Sequence, residues 1–366
     1  MKQIDNETFE RKKYDIWLSS VRGLSVSLKK TLVKTLGSGK DVYFSDPEKL
    51  LEIDSIDFSV LQSLEAAKKV SPDMLYENIL SKDIDVSTFN DNAYPSLLKE
   101  INDCPFMLYY RGRLYNKPCV AVVGSRMCTP YGTDIAYQIG KALAGQGINV
   151  ISGMALGADQ ASENGAIDAG GISTAVLGCG PDICYPEENR FLYDMLCERG
   201  AVVSEYSPGT QPRRQFFPRR NRIISGMSLA VIVTEARIKS GSLITANLAE
   251  SYMRDVYAVP GRINDPLSRG TNHLIEEGAF IVESVDDLIR NISGKAINKD
   301  SKDGFLSSKL TALEQKIYDL TDIYAIHIDT IRERADLDES SFSEIMDSLT
   351  EKGKINEIFP GYYIRS

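Results

Sequence analysis

The residues best equipped for chemistry in this 366-residue chain lie in one stretch, Tyr206–Ile224, YSPGTQPRRQFFPRRNRII. It holds five arginines (Arg213, Arg214, Arg219, Arg220 and Arg222) and no acid, with two rings, Phe216 and Phe217, between them. Guanidinium groups neutralise phosphates while a ring stacks a base at about 1–3 kcal/mol, so the pattern suits single-stranded nucleic acid. Asn221 sits among these candidate contacts. The competing reading is that the rings anchor a loop in the core and the arginines only solvate it. Neighbouring side chains of an extended segment point to opposite faces, so one phenylalanine is expected in the core and the other exposed.

A second candidate is Gly124-Ser125-Arg126, directly after the apolar run CVAVVG. Backbone N–H, hydroxyl and guanidinium fork all donate to oxyanions, which suits a phosphate group; pairing of Arg126 with a surface acid is the plainer alternative. The dinucleotide fingerprint Gly-x-Gly-x-x-Gly is absent there, which disfavours a nicotinamide-type cofactor. Ser240-Gly241-Ser242 precedes a helical pattern and offers either an anion site at a helix N-terminus or ordinary capping. Ser152-Gly153, at another strand exit, allows close backbone approach to an anion, and Asp159 nearby could cap a helix, hold Arg126 or act as an acid.

Catalysis is poorly supported. The middle of the chain has one histidine, His273, and no Gly-x-Ser-x-Gly elbow. No zinc-type ligand cluster is present, so neither metal nor cofactor is expected. Glu235, Glu205 and Asp159 could serve as acids or bases, but each more simply balances an arginine-rich site. The six cysteines form no C-x-x-C pair and are expected to be reduced, most of them buried.

These residues must be positioned by a regular scaffold. From Cys119 onward, seven short apolar runs alternate with helical patterns: CVAVVG, INVISG, STAVLG, AVVSE, LAVIVTE, DVYAVPG and AFIV. Ile135, Ile139, Ala142 and Leu143 mark the inner face of the first intervening helix. The alternation predicts a doubly wound α/β domain with a mainly parallel sheet, whose ligand site lies at the carboxyl ends of the strands. Gly, Glu or Ser ends nearly every run, aligning the candidate residues on that one edge.

The flanks read differently. Residues 1–80 show short helices at Tyr14–Val21, Leu28–Leu36, Pro47–Leu51 and Phe58–Lys69, a small accessory domain of sterile-alpha-motif or helix-hairpin-helix type. Gly37-Ser38-Gly39-Lys40 is not a P-loop, since Lys34 and Asp41 stand where Gly and Ser/Thr are needed. Residues 292–307 read as a polar linker, and 308–366 as a winged-helix-like domain with a hairpin around Pro360-Gly361. Its candidate recognition helix carries Glu339, Glu344, Asp347 and Glu351 against Lys352, which disfavours a DNA groove and favours a protein contact or a packing role.

Net charge of −9 argues superficially against a polyanion ligand. Residues 1–104 and 291–366 each carry −4, while 105–290 carry −1 and hold 15 of the 20 arginines but 3 of the 22 lysines. Arginine is the residue of phosphate recognition, so the site belongs in the middle segment. No run approaches a membrane span, and residues 1–15 lack a secretory apolar region, so a cytoplasmic location is expected.

The segments GSR at 124–126, SGMALGAD at 152–159, TAVLGCGPDICYPEENRFL at 174–192, SEYSPGTQP at 204–212, FPRRNRIISG at 217–226, TEARIKSGSLITANLA at 234–249 and AVPG at 258–261 resemble the DprA/Smf DNA-processing proteins. The likeness covers roughly residues 85–290. It implies an extended Rossmann-like domain that binds single-stranded DNA, forms a homodimer and loads RecA onto incoming DNA during natural transformation, displacing or tolerating single-strand binding protein, with no catalytic activity. By motif position, Gly124, Ser125 and Arg126 would form the phosphate pocket and Phe217 would stack a base. Arg214 would take a basic contact position that is often Lys in the family, and Ala158 stands where Ile is common. Two other classes stay open: a nucleotide-processing enzyme like the nucleoside-monophosphate glycosidases, with Glu235 beside Ser240-Gly241-Ser242 but without the Pro-Gly-Gly element, and a nucleotide-sensing module.

Overall fold

The computed structural model describes residues 6–115, 117–293, 311–321, 326–335, 337–351, 354–359 and 361–365. The chain forms two compact units, Met1–Asn298 and Lys299–Ser366. The linker expected at 292–307 lies outside the described residues except for 292 and 293, which still belong to the helix over 285–293.

In the first unit, nine strands among the described residues make one sheet: β1 (Asp85–Thr88), β2 (Met107–Gly112), β3 (Cys119–Val123), β4 (Asn149–Ser152), β5 (Ser173–Val176), β6 (Ala201–Ser204), β7 (Ala230–Val233), β8 (Asp255–Ala258) and β9 (Phe280–Ile281). Their spatial order is β1-β2-β6-β5-β4-β3-β7-β8-β9. Strands β3 to β9 pair in parallel, and β1 and β2 add an antiparallel edge beyond β6. Every residue of β3 to β7 is buried, because helices cover both faces, and this is why the sequence there is continuously apolar. The polar exceptions are all hydrogen-bonded: Asn149 Nδ2 donates to Thr174 Oγ1 at 3.0 Å across the ladder, and the hydroxyls of Ser152, Ser173 and Ser204 donate to backbone carbonyls.

All seven expected runs are strands. The two antiparallel strands have no counterpart among those expectations, since DVST and MLYYRG mix polar and apolar residues. The first crossover helix, Pro130–Gly145, buries Ile139 and Leu143 fully, whereas Ile135 and Ala142 are half-buried. Its inner face also takes Ala136, Gly140 and Ala144, small residues that allow close approach to the neighbouring helix Ala158–Asp168.

The sheet order reverses between β3 and β7, from which the chain proceeds outward in opposite directions. Connections leaving these two strands therefore diverge and open a crevice at their carboxyl ends.

Ahead of the sheet, helices Asn6–Ser20, Val26–Leu36, Gly39–Phe44, Pro47–Leu51, Phe58–Ala67 and Pro72–Leu80 surround Trp17, Leu32, Leu64 and Tyr76, and Val86, Met107 and Tyr109 of β1 and β2 complete that core. Ser38 of the Gly-Ser-Gly-Lys run caps the helix Gly39–Phe44 by accepting from Asp41 N at 3.2 Å. The cysteines are free; Cys104, Cys119, Cys179 and Cys184 are buried, and Cys128 and Cys197 half-buried.

The second unit has the order expected of a winged helix: Ala312–Leu320, β10 (Ile326–His327), Ile328–Ala335, Glu339–Glu351, then β11 (Ile355–Phe359) and β12 (Tyr362–Arg365). Its sheet runs β10-β12-β11 around a core of Ile317, Ile331, Phe342, Met346 and Leu349. A capping box between Thr311 and Glu314 starts its first helix.

Candidate nucleic-acid interface

The crevice between β3 and β7 deepens into a cleft of about 650 Å³. Gly124, Ser125 and Arg126 form the turn that leaves β3 at its wall. A methyl group at Gly124 would sit 2.6 Å from Thr234 Oγ1, so only glycine lets the turn pass this close to β7. Gly157, at φ +83°, brings the next loop against the carbonyl of Ser125, where Ala158 N donates at 3.2 Å. Ser125 Oγ accepts from Met127 N at 3.1 Å, which leaves its hydroxyl hydrogen for a ligand.

The arginine-rich stretch is not extended throughout. From Phe216 it becomes the helix Phe216–Met227, with Pro218 in the first turn and Ile223, Ile224 and Met227 buried. The expectation of one buried and one exposed phenylalanine therefore fails: successive residues on a helix are a quarter-turn or so apart, and both rings are half-buried. Phe217 lines the cleft, with Tyr185 5.4 Å away between ring centroids and the Arg126 guanidinium 5.7 Å over its face. Phe216 turns the other way and stacks on Tyr206 at 4.2 Å, with Arg213 5.9 Å over it.

The helix also divides the arginines. Arg214 lines the cleft and is exposed. Arg219 is exposed but bridges to Glu205 at 3.3 Å. Arg222 is 6% exposed and pairs with Glu205, its Nε 3.6 Å from Asp103, so it faces the interior rather than the cleft. Arg220, 5% exposed, forms part of the cleft floor and donates to the carbonyls of Gly153 (2.9 Å) and Val176. Beneath it lie Asp159, which accepts from Gly153 N at 3.1 Å, and Glu163 one turn further on, fully buried. Burial, reinforced by Asp159, pushes the Glu163 carboxyl well above its usual range; burial also raises the Asp159 carboxyl, against the opposing pull of Arg220.

Asn221 links the helix to the opposite wall, its Nδ2 donating to Gly241 O at 3.2 Å. Ser240 caps the helix Gly241–Ser251 and contacts Ser242 Oγ at 2.7 Å. The N-terminal turns of Phe216–Met227 and Gly241–Ser251 thus both border the cleft, adding positive dipole ends to its cations. Gly153 lines an adjoining cavity of about 450 Å³ on the far side of Phe217, together with Arg126, Tyr185 and Arg220. Ser152 does not reach either space; it is buried and its hydroxyl donates to Val122 O at 2.6 Å, tying β4 to β3.

Among the cationic and aromatic lining residues, three were not expected from the sequence: Tyr185, Arg237 and Lys239. Arg237 and Lys239 are exposed and sit just after β7, immediately before the Ser240 cap, a placement that could have flagged them. Glu235, a candidate acid, is buried and engaged: it accepts from Thr129 N at 2.8 Å and Thr129 Oγ1 at 2.5 Å, holding the start of Pro130–Gly145.

Fold and cleft together define an extended Rossmann-like domain with a cationic, aromatic-lined crevice at its topological switch point. A family model for DNA recombination-mediator protein A matches residues 85–293, the sheet and the whole crevice. The chain belongs to this family, the DprA/Smf proteins. It is 45% identical over 201 residues to DNA processing protein DprA of Streptococcus pneumoniae, covering 54% of this chain and 71% of that one. It is 34% identical over 285 residues to protein Smf of a Synechocystis species, covering 75% and 72%. The X-ray structure of the Streptococcus pneumoniae protein superposes with a TM-score of 0.68 at 35% identity, covering 76% of this chain and 97% of that one. DNA processing protein A of Helicobacter pylori, whose structure was reported for its single-stranded DNA binding mode, gives 0.54 at 29% identity, covering 59% and 99%.

Proposed function

We propose that this protein binds single-stranded DNA in the cleft between β3 and β7 and acts as a recombination mediator, loading RecA onto DNA taken up in natural transformation. The observation that carries this reading is the stack of Arg126 on Phe217 at the mouth of a phosphate-sized turn. A base enters against the Phe217 and Tyr185 rings while its phosphate takes the Ser125 hydroxyl, the Gly124–Arg126 backbone and the guanidinium fork. Arg214, Arg237 and Lys239 continue the cationic track along the rim. The single-stranded DNA binding reported for the Helicobacter pylori relative supports the same ligand here. A duplex would hold its bases away from the rings, so single strands are preferred.

The protein works as a cytoplasmic homodimer without catalysing bond cleavage. Strand β9 ends the sheet and exposes Phe280 and Ile281, which provides an apolar surface for a second copy. Glu235, the acid a glycosidase would need, is committed to Thr129, which weighs against nucleotide processing.

The test is fluorescence anisotropy with a labelled single strand and its duplex at two salt concentrations, alongside RecA filament nucleation on protein-coated DNA. Preference for the single strand, with faster RecA nucleation, is the expected result. Equal binding of both forms, or tight binding of nucleoside monophosphates alone, would overturn the proposal.

A further inference from the structure

Away from the cleft, Lys30 Nζ lies 2.7 Å from Cys104 Sγ, bringing together residues 74 positions apart. Lys30 projects from the helix Val26–Leu36, and Cys104 stands in the segment leading into β2. The spacing is far shorter than the 3.5 Å between the Asn149 amide nitrogen and Cys119 Sγ. Both partners are held in place. Cys104 is 4% exposed within the sheet core, and its N–H donates to Ile101 O at 3.2 Å. Lys30 Nζ lies 5.7 Å over the Phe89 ring, and Phe89 packs on Phe106 at 5.6 Å, two residues beyond the cysteine. Among the described contacts, no other cysteine meets a lysine amine: Cys128 meets Ser125 O at 2.9 Å, Cys184 meets Pro186 O at 3.3 Å, and Cys197 meets the Tyr193 hydroxyl.

We propose that Lys30 and Cys104 form a peroxide-sensitive cross-link, a nitrogen–oxygen–sulfur bridge between the lysine amine and the cysteine sulfur. One equivalent of hydrogen peroxide converts the Cys104 thiol to the sulfenic acid and releases water. A second equivalent accepts the sulfenic hydrogen and one hydrogen of the neutral amine as the O–N bond forms, and leaves as two waters. Thiol, amine and two peroxides thus become the S–O–N bridge and three waters. Two equivalents of a dithiol reverse it: the first attacks sulfur, breaks the S–O bond and returns the thiol beside a lysine hydroxylamine, and the second reduces the N–O bond to amine and water, leaving two disulfides as the oxidised reductant. The small displacement needed, one oxygen inserted between two atoms already in contact, is what proximity supplies. The bridge fastens the helical segment to the sheet domain. It also fixes the residue after Asp103, which holds Arg222 of the cleft helix at 3.6 Å.

The experiment treats the full chain with dilute hydrogen peroxide and maps its peptides by mass spectrometry, before and after dithiothreitol. The expected product joins the peptide containing residue 30 to that containing residue 104, heavier than their sum by one oxygen less two hydrogens, and dithiothreitol abolishes it. Lys30→Arg keeps the cation but cannot form the bridge, so its Cys104 is expected to stop at the sulfenic or sulfinic acid. Wild type gains several degrees in Tm on oxidation through closure of the intervening loop, and Lys30→Arg does not. Unmodified Cys104, oxidation of Cys104 without the joined peptide in wild type, or the same joined mass in Lys30→Arg would each overturn the proposal.

Discussion

The contact between Arg126 and Phe217 makes a quantitative demand on DNA binding that a double-mutant cycle reads directly. Phe217→Ala removes one stacked base, about 1–3 kcal/mol, and leaves the phosphate contacts intact. Arg126→Ala removes a charge-assisted hydrogen bond to phosphate, about 1.5–3 kcal/mol. Each single change therefore weakens a Kd roughly tenfold to a hundredfold, since about 1.4 kcal/mol is a factor of ten. The two are distinguished by salt: Arg126→Ala lowers the slope of log K against log salt by about 0.7 and Phe217→Ala leaves it unchanged. The guanidinium 5.7 Å over the ring couples them. The double variant should lose less than the sum of the singles by about 0.5–2 kcal/mol, the range for a cation–π contact from exposed to desolvated. Anisotropy titrations of a labelled oligonucleotide at four salt concentrations provide all the quantities. Strict additivity, or a slope unchanged by Arg126→Ala, would refute the reasoning that the pair binds one nucleotide as a unit.

Three further outcomes follow from the same geometry. Arg237→Gln and Lys239→Gln should each lower the salt slope by about 0.7 without changing thermal stability, as removal of an exposed phosphate contact requires; unchanged slopes would take both residues off the DNA track. Arg222→Met should instead cost about 3–5 kcal/mol of folding stability by stripping Glu205 of its buried partner, and leave the affinity of the folded fraction close to wild type. Chemical denaturation beside DNA titration separates the two effects, and a stable variant with weakened binding would contradict the buried assignment. Burial raises the Asp15 carboxyl to about 6, above its unfolded value near 3.8. The folded state therefore binds the proton more tightly, and this contribution is fully present below about pH 4 and lost as pH rises through 6. Asp15→Asn keeps an acceptor for the Gly39 N–H and should raise stability at pH 7 by about 2–3 kcal/mol, with no gain at pH 4; equal shifts at both pH values would contradict it.

Much of the scaffold was legible because parallel strands buried on both faces leave an unmistakable trace. AVIV at β7 and CVAVV at β3 can be little else in an alternating α/β pattern, and strand ends then point to Gly124–Arg126 and Ser240–Ser242 without a structure. DVST and MLYYRG at β1 and β2 carry no such trace, since Ser87 and Thr88 are polar although buried, and β2 passes from buried at Met107–Tyr109 to half-buried at Tyr110–Gly112. The arginine-rich stretch misled for a related reason. Composition reports how many cations are present and not which of them find partners. Arg222 is removed from the cleft by Glu205, the residue that follows β6, and Arg220 is held in the cleft floor by carbonyls of Gly153, just after β4, and Val176, at the end of β5, contacts that exist only once the sheet has formed. Conversely, Arg237 and Lys239 make no cluster of their own and acquire meaning only from the cleft they border. Tyr185 likewise becomes a candidate base platform only when the loop after β5 folds beside Phe217.

The measurement that bears most directly on the cleft is photo-cross-linking of the full chain to a single-stranded oligonucleotide carrying 5-iodouridine, followed by peptide mapping. The halogenated base couples to an aromatic ring on which it is stacked. Cross-links confined to Phe217 and Tyr185, and lost at high salt together with binding, are the predicted result. Cross-links mapping to the helical segment before β1 or to the winged-helix unit, with Phe217 and Tyr185 untouched, would contradict the assignment of the DNA site to the β3–β7 crevice.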